Sequence, residues 1–210
     1  MSPTNDPEET AKALAKYRPL RAVIGKVGPP PALRRAAAST RYAYLVRSIV
    51  YQQLAGSAAS AIHGRLAAGC GGTVSAATVD ALSEEEMASF GLSGAKRAAI
   101  RDLTVKVDAG EVRLDRHARM SDDQVVSDLV KVRGIGPWTA QMYLMSSLAR
   151  PDVWPTGDLG VRYGWSLLHG LEETITPKAL EVAGASLAPY RTAVSWYCWE
   201  AVALERGEAR

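Results

Sequence analysis

Apolar residues recur along this chain at three- and four-residue intervals far more often than at alternate positions, the spacing of helices that pack by one face. In "YAYLVRSIVYQQL", residues 42–54, Leu45, Ile49 and Val50 fall at helical spacing. Gly56 interrupts, and "SAASAIHGRLAAG" predicts a second helix closed by Gly69. Ser83 with Glu86, and Ser121 with Gln124, have the spacing of capping boxes, and each opens a short apolar-periodic segment. "SGAKRAAIRDLTVKVDAG" predicts a helix that starts after Ser93 and stops at Gly110. Toward the C-terminus, "TPKALEVAGASLAPY" and "RTAVSWYCWEAVALER" predict two more, separated near Pro189. Strand signals are scarce, so the pattern predicts an all-α chain of roughly ten to twelve helices with short connections. The run "GPPP" at 28–31 reads as a stiff connector after the first helices.

Composition narrows the class. The 210 residues suit one large domain or two small subdomains, and 47% apolar with 22% charged residues is ordinary for a soluble globular protein. No apolar run reaches eighteen residues, and "MSPTNDPEET" has neither the basic nor the apolar stretch of a secretory signal. The expectation is a cytoplasmic monomer with no membrane partner. Cys70 and Cys198 cannot by themselves build an iron–sulfur or cysteine-rich zinc site, and two buried thiols are expected rather than a disulfide. His63, His117 and His169 form no close pair, so no metal site is expected, and metal-free chemistry is the default. The net charge of +3 is unevenly spread: residues 1–50 hold nine Lys/Arg against three Asp/Glu, whereas residues 151–210 hold five against eight. That asymmetry permits a nucleic-acid-facing surface, and a solvated basic face explains it equally well.

The densest local signal is "VRGIGPWTAQMYL" followed by "PDVWPTGDLGVR". The helix opened by Ser121 is expected to run to Gly134, with Gly136 allowing a second unusual backbone angle and Pro137 suiting the first turn of the next helix. Two helices then meet in a hairpin over residues 121–148. Its free N–H groups and the dipole of the second helix form a place for a phosphate. Ordinary helix hairpins also contain glycine.

These residues resemble the helix-hairpin-helix DNA glycosylase superfamily, in particular its 3-methyladenine DNA glycosylase II branch, which repairs alkylated bases. The resemblance extends to "LVRSIVYQQLAGSAASAIHGRL", "GLSGAKRAAIRDL" and "APYRTAVSWYCW", so it spans roughly residues 20–205. It implies an all-α fold of two helical subdomains with a cleft between them, residues 41–150 forming one and residues 1–40 with 151–210 the other. It implies no cofactor other than a monovalent cation at the hairpin carbonyls. The partner it implies is double-stranded DNA containing alkylated bases. Gly134, Ile135, Gly136 and Thr139 would grip the DNA backbone.

Asp158 would be the catalytic carboxylate. It could equally be a simple helix N-cap in "TGDLGVRYGW". Departure of a cationic purine leaves an oxocarbenium-like sugar, which a nearby anion stabilises more than it does the ground state. Trp138 stands where lyase-competent relatives carry a Schiff-base lysine, so the resemblance is to a monofunctional hydrolase. Its ring would line the base pocket and attract a cationic purine; a core residue packing the hairpin is the other reading. Tyr190 would also stack on the base, standing where close relatives often have tryptophan, and Met142 where some have a pocket tyrosine. In "YQQLAG", Leu54 would be the wedge that fills the emptied stack, with Gln52 or Gln53 beside the lesion, although a buried helix leucine fits that position too. Lys96 and Arg97 could hold phosphate or simply be exposed charges. Trp165 and Trp199 are assigned to packing. The expected reaction is hydrolysis of the N-glycosidic bond of 3-methyladenine or 7-methylguanine. A glycosylase for etheno or deaminated bases and a non-catalytic DNA-binding module are the alternatives.

Overall fold

A computed structural model describes residues 6–208. Among these residues there are twelve α-helices and no strand. They are α1 (Pro7–Leu14), α2 (Arg21–Val27), α3 (Arg41–Tyr51), α4 (Gly56–Gly69), α5 (Ala76–Asp80), α6 (Glu84–Ser89), α7 (Gly94–Asp108), α8 (Asp122–Leu129), α9 (Pro137–Ser146), α10 (Leu159–His169), α11 (Pro177–Gly184) and α12 (Arg191–Glu205). The capping boxes at Ser83 and Ser121 are both formed, each serine accepting from the third helical N–H while the Glu86 or Gln124 side chain accepts from the serine N–H. No helix among the described residues is long and apolar enough to cross a membrane.

The helices sort into two compact units. Of the described residues, one unit comprises those up to Arg34 with those from Ala149 onward, and the other is Arg35–Leu148. In the discontinuous unit, Val161 and Trp165 of α10 lie four apart and are buried with Val194 and Cys198 of α12. The two helices touch closely at Gly164, where a Cβ would overlap the Cys198 carbonyl oxygen and lie 2.5 Å from its carbon. Only glycine permits that approach. Gly170 then ends α10 in the left-handed conformation, with φ +64°.

In the continuous unit, Leu45, Val46, Ile49 and Val50 make a fully buried stripe on α3, a helix that packs against α4, α7 and α9. The opposite stripe, Tyr44, Arg47, Ser48 and Tyr51, has the same helical spacing and stays partly or fully exposed. A buried polar chain crosses the core: Tyr143 Oη lies 3.0 Å from His117 Nδ1, whose Nε2 lies 2.9 Å from Asp128 Oδ2, while the other Asp128 oxygen accepts from Lys131 at 2.7 Å. The chain joins the hairpin helices α8 and α9 to the segment before them. Cys70 and Cys198 are both buried free thiols.

Two local expectations are corrected. Helix α8 stops at Leu129, five residues before Gly134, because Val132 turns inward and bonds back to Leu129 O, and Asp102 of α7 accepts the Arg133 N–H at 2.7 Å. Gly134 is left-handed, with φ +76°, as the turn requires, but Gly136 has φ −96° and ψ 176°, extended backbone open to any residue.

Candidate active site

The hairpin between α8 and α9 is built so that its donors stay available. Pro137 opens α9, bringing no N–H of its own, and the exposed Gly134 and Gly136 N–H groups take no protein partner. Both sit at the positive end of a ten-residue helix, an arrangement suited to a phosphate oxygen. Ile135 differs. Its side chain is buried and its N–H is already given to Val132 O at 3.1 Å, so it anchors the turn. Thr139 is also buried, and its hydroxyl oxygen lies 3.4 Å from the Gln52 amide nitrogen.

That amide has a stronger partner in the hairpin itself, donating to Gly134 O at 2.9 Å. Lys96 supports the same segment from α7, its ammonium donating to Val50 O at 2.6 Å and Gln52 O at 2.9 Å, two carbonyls left open where α3 ends. Burial pushes the Lys96 pKa below its ordinary range. Held at Gln52, the chain enters Gln53 with φ +56°, a left-handed angle at a non-glycine residue. Leu54 follows, 39% exposed in the connection to α4. The buried-helix reading of Leu54 therefore fails. Lys96 gives two of its three donors to the end of α3, so it is not a simple exposed charge; Arg97 is likewise engaged by Glu84 at 3.0 Å and Leu92 O at 2.8 Å.

Beside the hairpin lies a pocket of about 560 Å³, within the size range of small-ligand sites. Trp138, Gln53, Gly134, Gly136 and Thr139 line it, together with Met142. Its other wall is the exposed stripe of α3, namely Tyr44, Arg47, Ser48 and Tyr51, which the sequence reasoning missed. Their 44-47-48-51 spacing opposite an apolar stripe was the available signal. Trp138 is 49% exposed, so it is no core residue. Arg47 is the one charged side chain in the lining, and no carboxylate lines it.

Asp158 and Tyr190 belong to the other unit. Asp158 caps α10, its Oδ1 accepting from Val161 N at 2.7 Å, and it keeps 9% of its surface exposed. The same oxygen accepts the Trp199 indole N–H from α12 at 3.0 Å. Trp199 was assigned to packing; the structure instead gives it the carboxylate, and Gly160 leaves room for the contact, since a Cβ there would sit 3.0 Å from the indole and 3.1 Å from Oδ1. The N-cap role is formed, and it fixes one rotamer of the carboxylate, which accepts from both the Val161 and the Trp199 N–H. Trp165 is a packing residue, stacked on His169 at 4.0 Å. Tyr190 sits at the N-cap of α12, half-buried against the core of its unit. No cluster of three or more His, Cys, Asp or Glu among the described residues is arranged to hold a metal ion.

Comparison with known proteins converges on one group. The model of the HhH-GPD superfamily of base excision DNA repair proteins matches residues 46–189. DNA-3-methyladenine glycosylase 1 of Schizosaccharomyces pombe is 30% identical over 192 residues, 90% of this chain and 78% of the yeast protein. The solved structure of the S. pombe 3-methyladenine DNA glycosylase Mag1 in complex with abasic DNA superposes with a TM-score of 0.82 at 28% identity, covering 91% of this chain and 95% of that one. A DNA-3-methyladenine glycosidase from Bacillus halodurans gives a TM-score of 0.83 at 32% identity, covering 97% and 92%. With a family match across most of its helices and relatives aligned over nearly its whole length, this chain belongs to the HhH-GPD superfamily of base excision DNA repair proteins.

Proposed function

We propose that the protein is a monofunctional DNA-3-methyladenine glycosylase, hydrolysing the N-glycosidic bond of alkylated purines in double-stranded DNA and leaving an abasic site. The observation that carries the reading is the aromatic pocket beside the hairpin, with tryptophan at the position expected of a lyase lysine, in a chain whose near-full-length relatives are named for this reaction. No amine from position 138 is available to form a Schiff base, so water is the nucleophile.

In this reading the Gly134 and Gly136 N–H groups hold a backbone phosphate without reading sequence. Leu54, on the exposed tip after the strained Gln53, fills the gap left by the extruded base, and Gln53 faces the lesion. Trp138 stacks on the base, where a cationic purine gains cation–π attraction on the order of 1–2 kcal/mol when desolvated. Tyr190 is a further stacking surface for the substrate. As the base leaves, the Asp158 carboxylate stabilises the positive charge growing on the sugar and orients the attacking water. Its pairing with Val161 N–H and the Trp199 indole keeps it aimed before the charge develops. A monovalent cation at the hairpin would share carbonyls already in use, since Gly134 O accepts from Gln52 and Val132 O from Ile135, each oxygen keeping one lone pair.

The protein acts as a monomer in this reading, its partner being alkylated duplex DNA. Incubation with randomly methylated duplex DNA, followed by mass spectrometry of the freed bases, tests it. Release of 3-methyladenine or 7-methylguanine is expected. Release of neither, from protein that binds an abasic-site duplex, leaves a non-catalytic DNA-binding module and refutes the proposal.

A further inference from the structure

A second pocket in the Arg35–Leu148 unit, of about 390 Å³, shares Tyr44, Arg47 and Ser146 with the aromatic one and continues to Thr40, His63 and Ser147. No carboxylate lines it. Three of its side chains carry donors for which the protein offers no acceptor. The exposed Arg47 guanidinium rests 4.1 Å from the centre of the Tyr51 ring and makes no hydrogen bond or ion pair. His63 faces the same ring edge-on at 6.4 Å, and neither of its ring nitrogens has a protein partner. Ser147, a residue of the pocket wall, is 1% exposed, and its buried hydroxyl has no partner.

A buried hydroxyl without a partner is costly, and two cation-forming groups around one ring repel each other once both are charged. Burial, and then the neighbouring Arg47 charge, push the His63 pKa below its ordinary value. An oxyanion relieves all three strains together. Its oxygens accept from the guanidinium fork, the hydroxyl and the imidazole, and its charge offsets the repulsion.

We infer that Arg47, His63 and Ser147 form a phosphate-binding subsite that takes a backbone phosphodiester of the strand whose base enters the adjoining aromatic pocket. The inference rests on the glycosylase reading above for the identity of the strand. It is distinct from the hairpin site, since neither Gly134 nor Gly136 lines this pocket. Continuity of the two pockets through Arg47 favours DNA over a free anion: a strand that delivers a base to one side carries a phosphate past the other.

The test uses duplex DNA carrying one abasic site, so that the strand is engaged at the extruded nucleotide while no base occupies the pocket. Affinity is measured between about 50 and 200 mM salt, where each phosphate contact adds roughly one to the slope of log K against log salt. Arg47→Met is expected to lower that slope by about one, and Arg47→Lys to retain it, both unfolding at the wild-type temperature because residue 47 is exposed. In parallel, inorganic phosphate titrated into the wild-type protein should shift the His63 ring-proton resonances, and Arg47→Met should abolish the shift. An unchanged slope overturns the DNA assignment; if phosphate still moves His63, the pocket serves a free anion instead. A slope change without any His63 response confines the contact to Arg47 and overturns the three-residue site. Failure of the glycosylase reading would appear separately, as methylated DNA from which no base is freed.

Discussion

Replacing Asp158 by asparagine and by alanine separates its role as the cap of α10 from the catalytic role proposed for it. Asparagine keeps an oxygen where Oδ1 accepts from Val161 N at 2.7 Å and from the Trp199 indole at 3.0 Å, and it is as good an N-cap as aspartate. What it loses is the charge at the start of α10, about 0.3–1 kcal/mol of helix-dipole interaction, and part of the charge assistance to two hydrogen bonds. A net loss of about 1 kcal/mol corresponds to roughly 2–4 °C in Tm for a chain of this size. Alanine removes the cap, about 1 kcal/mol, and leaves the Trp199 N–H without this partner, about 1–3 kcal/mol more. Its Tm should therefore fall by several degrees further than that of the asparagine variant. On the rate, the order reverses in importance: both substitutions remove the anion, and losing about 3 kcal/mol of transition-state stabilisation slows release roughly 100-fold. Single-turnover release of methylated bases and thermal unfolding, run on the same preparations, check this. An asparagine variant that frees bases within about threefold of wild type would refute the electrostatic argument, since that margin is worth under ~1 kcal/mol.

Three further outcomes follow from other parts of the molecule. Trp138→Ala should slow release of cationic 3-methyladenine by about tenfold, the rate equivalent of 1–2 kcal/mol of cation–π attraction, and slow release of a neutral base such as hypoxanthine less; equal losses for both would show that the ring contributes only stacking area. Gly164→Ala forces a methyl onto the Cys198 carbonyl between α10 and α12, so about 3 kcal/mol or more of destabilisation is expected, read as a lower denaturant midpoint. Stability should also decline on acidification in two stages. Burial holds the His117 pKa below its ordinary value despite the pull of Asp128, so the unfolded chain binds that proton first and stability is lost as pH falls through about 6.5; His63 acts in the same sense. Burial raises the Asp128 pKa, but hydrogen bonds from Lys131, His117 and the Arg113 N–H outweigh it, so its contribution is present above the unfolded value near 3.9 and lost as pH falls below it. A Tm that stays flat from about pH 8 to 5 would contradict the first stage.

Helix content was plain in the order of residues because caps and apolar spacing are local devices. Ser83 and Ser121 lie three residues from their capping partners, and the 45-49-50 stripe lies within two turns. The stop of α8 was misplaced because it depends on Asp102, 31 positions from the Arg133 N–H it accepts. Gly136 was read as conformationally special, whereas its extended backbone needs no glycine and the room around it is simply open.

The sequence by itself therefore determined the class of fold, the turn and helix that present backbone donors at Gly134 and Gly136, the aspartate at 158 and the absence of an amine at 138, since each is written within a span of one or two helical turns. Only the tertiary structure decided which partners those residues meet. It placed Trp199 on Asp158 across 41 positions, Gln52 on the hairpin across 82, and Lys96 beneath the segment that carries Gln53 and Leu54. A hydrogen bond between helices is fixed by how their faces pack, and the pattern of one face carries no record of which polar side chain on another will lie opposite it.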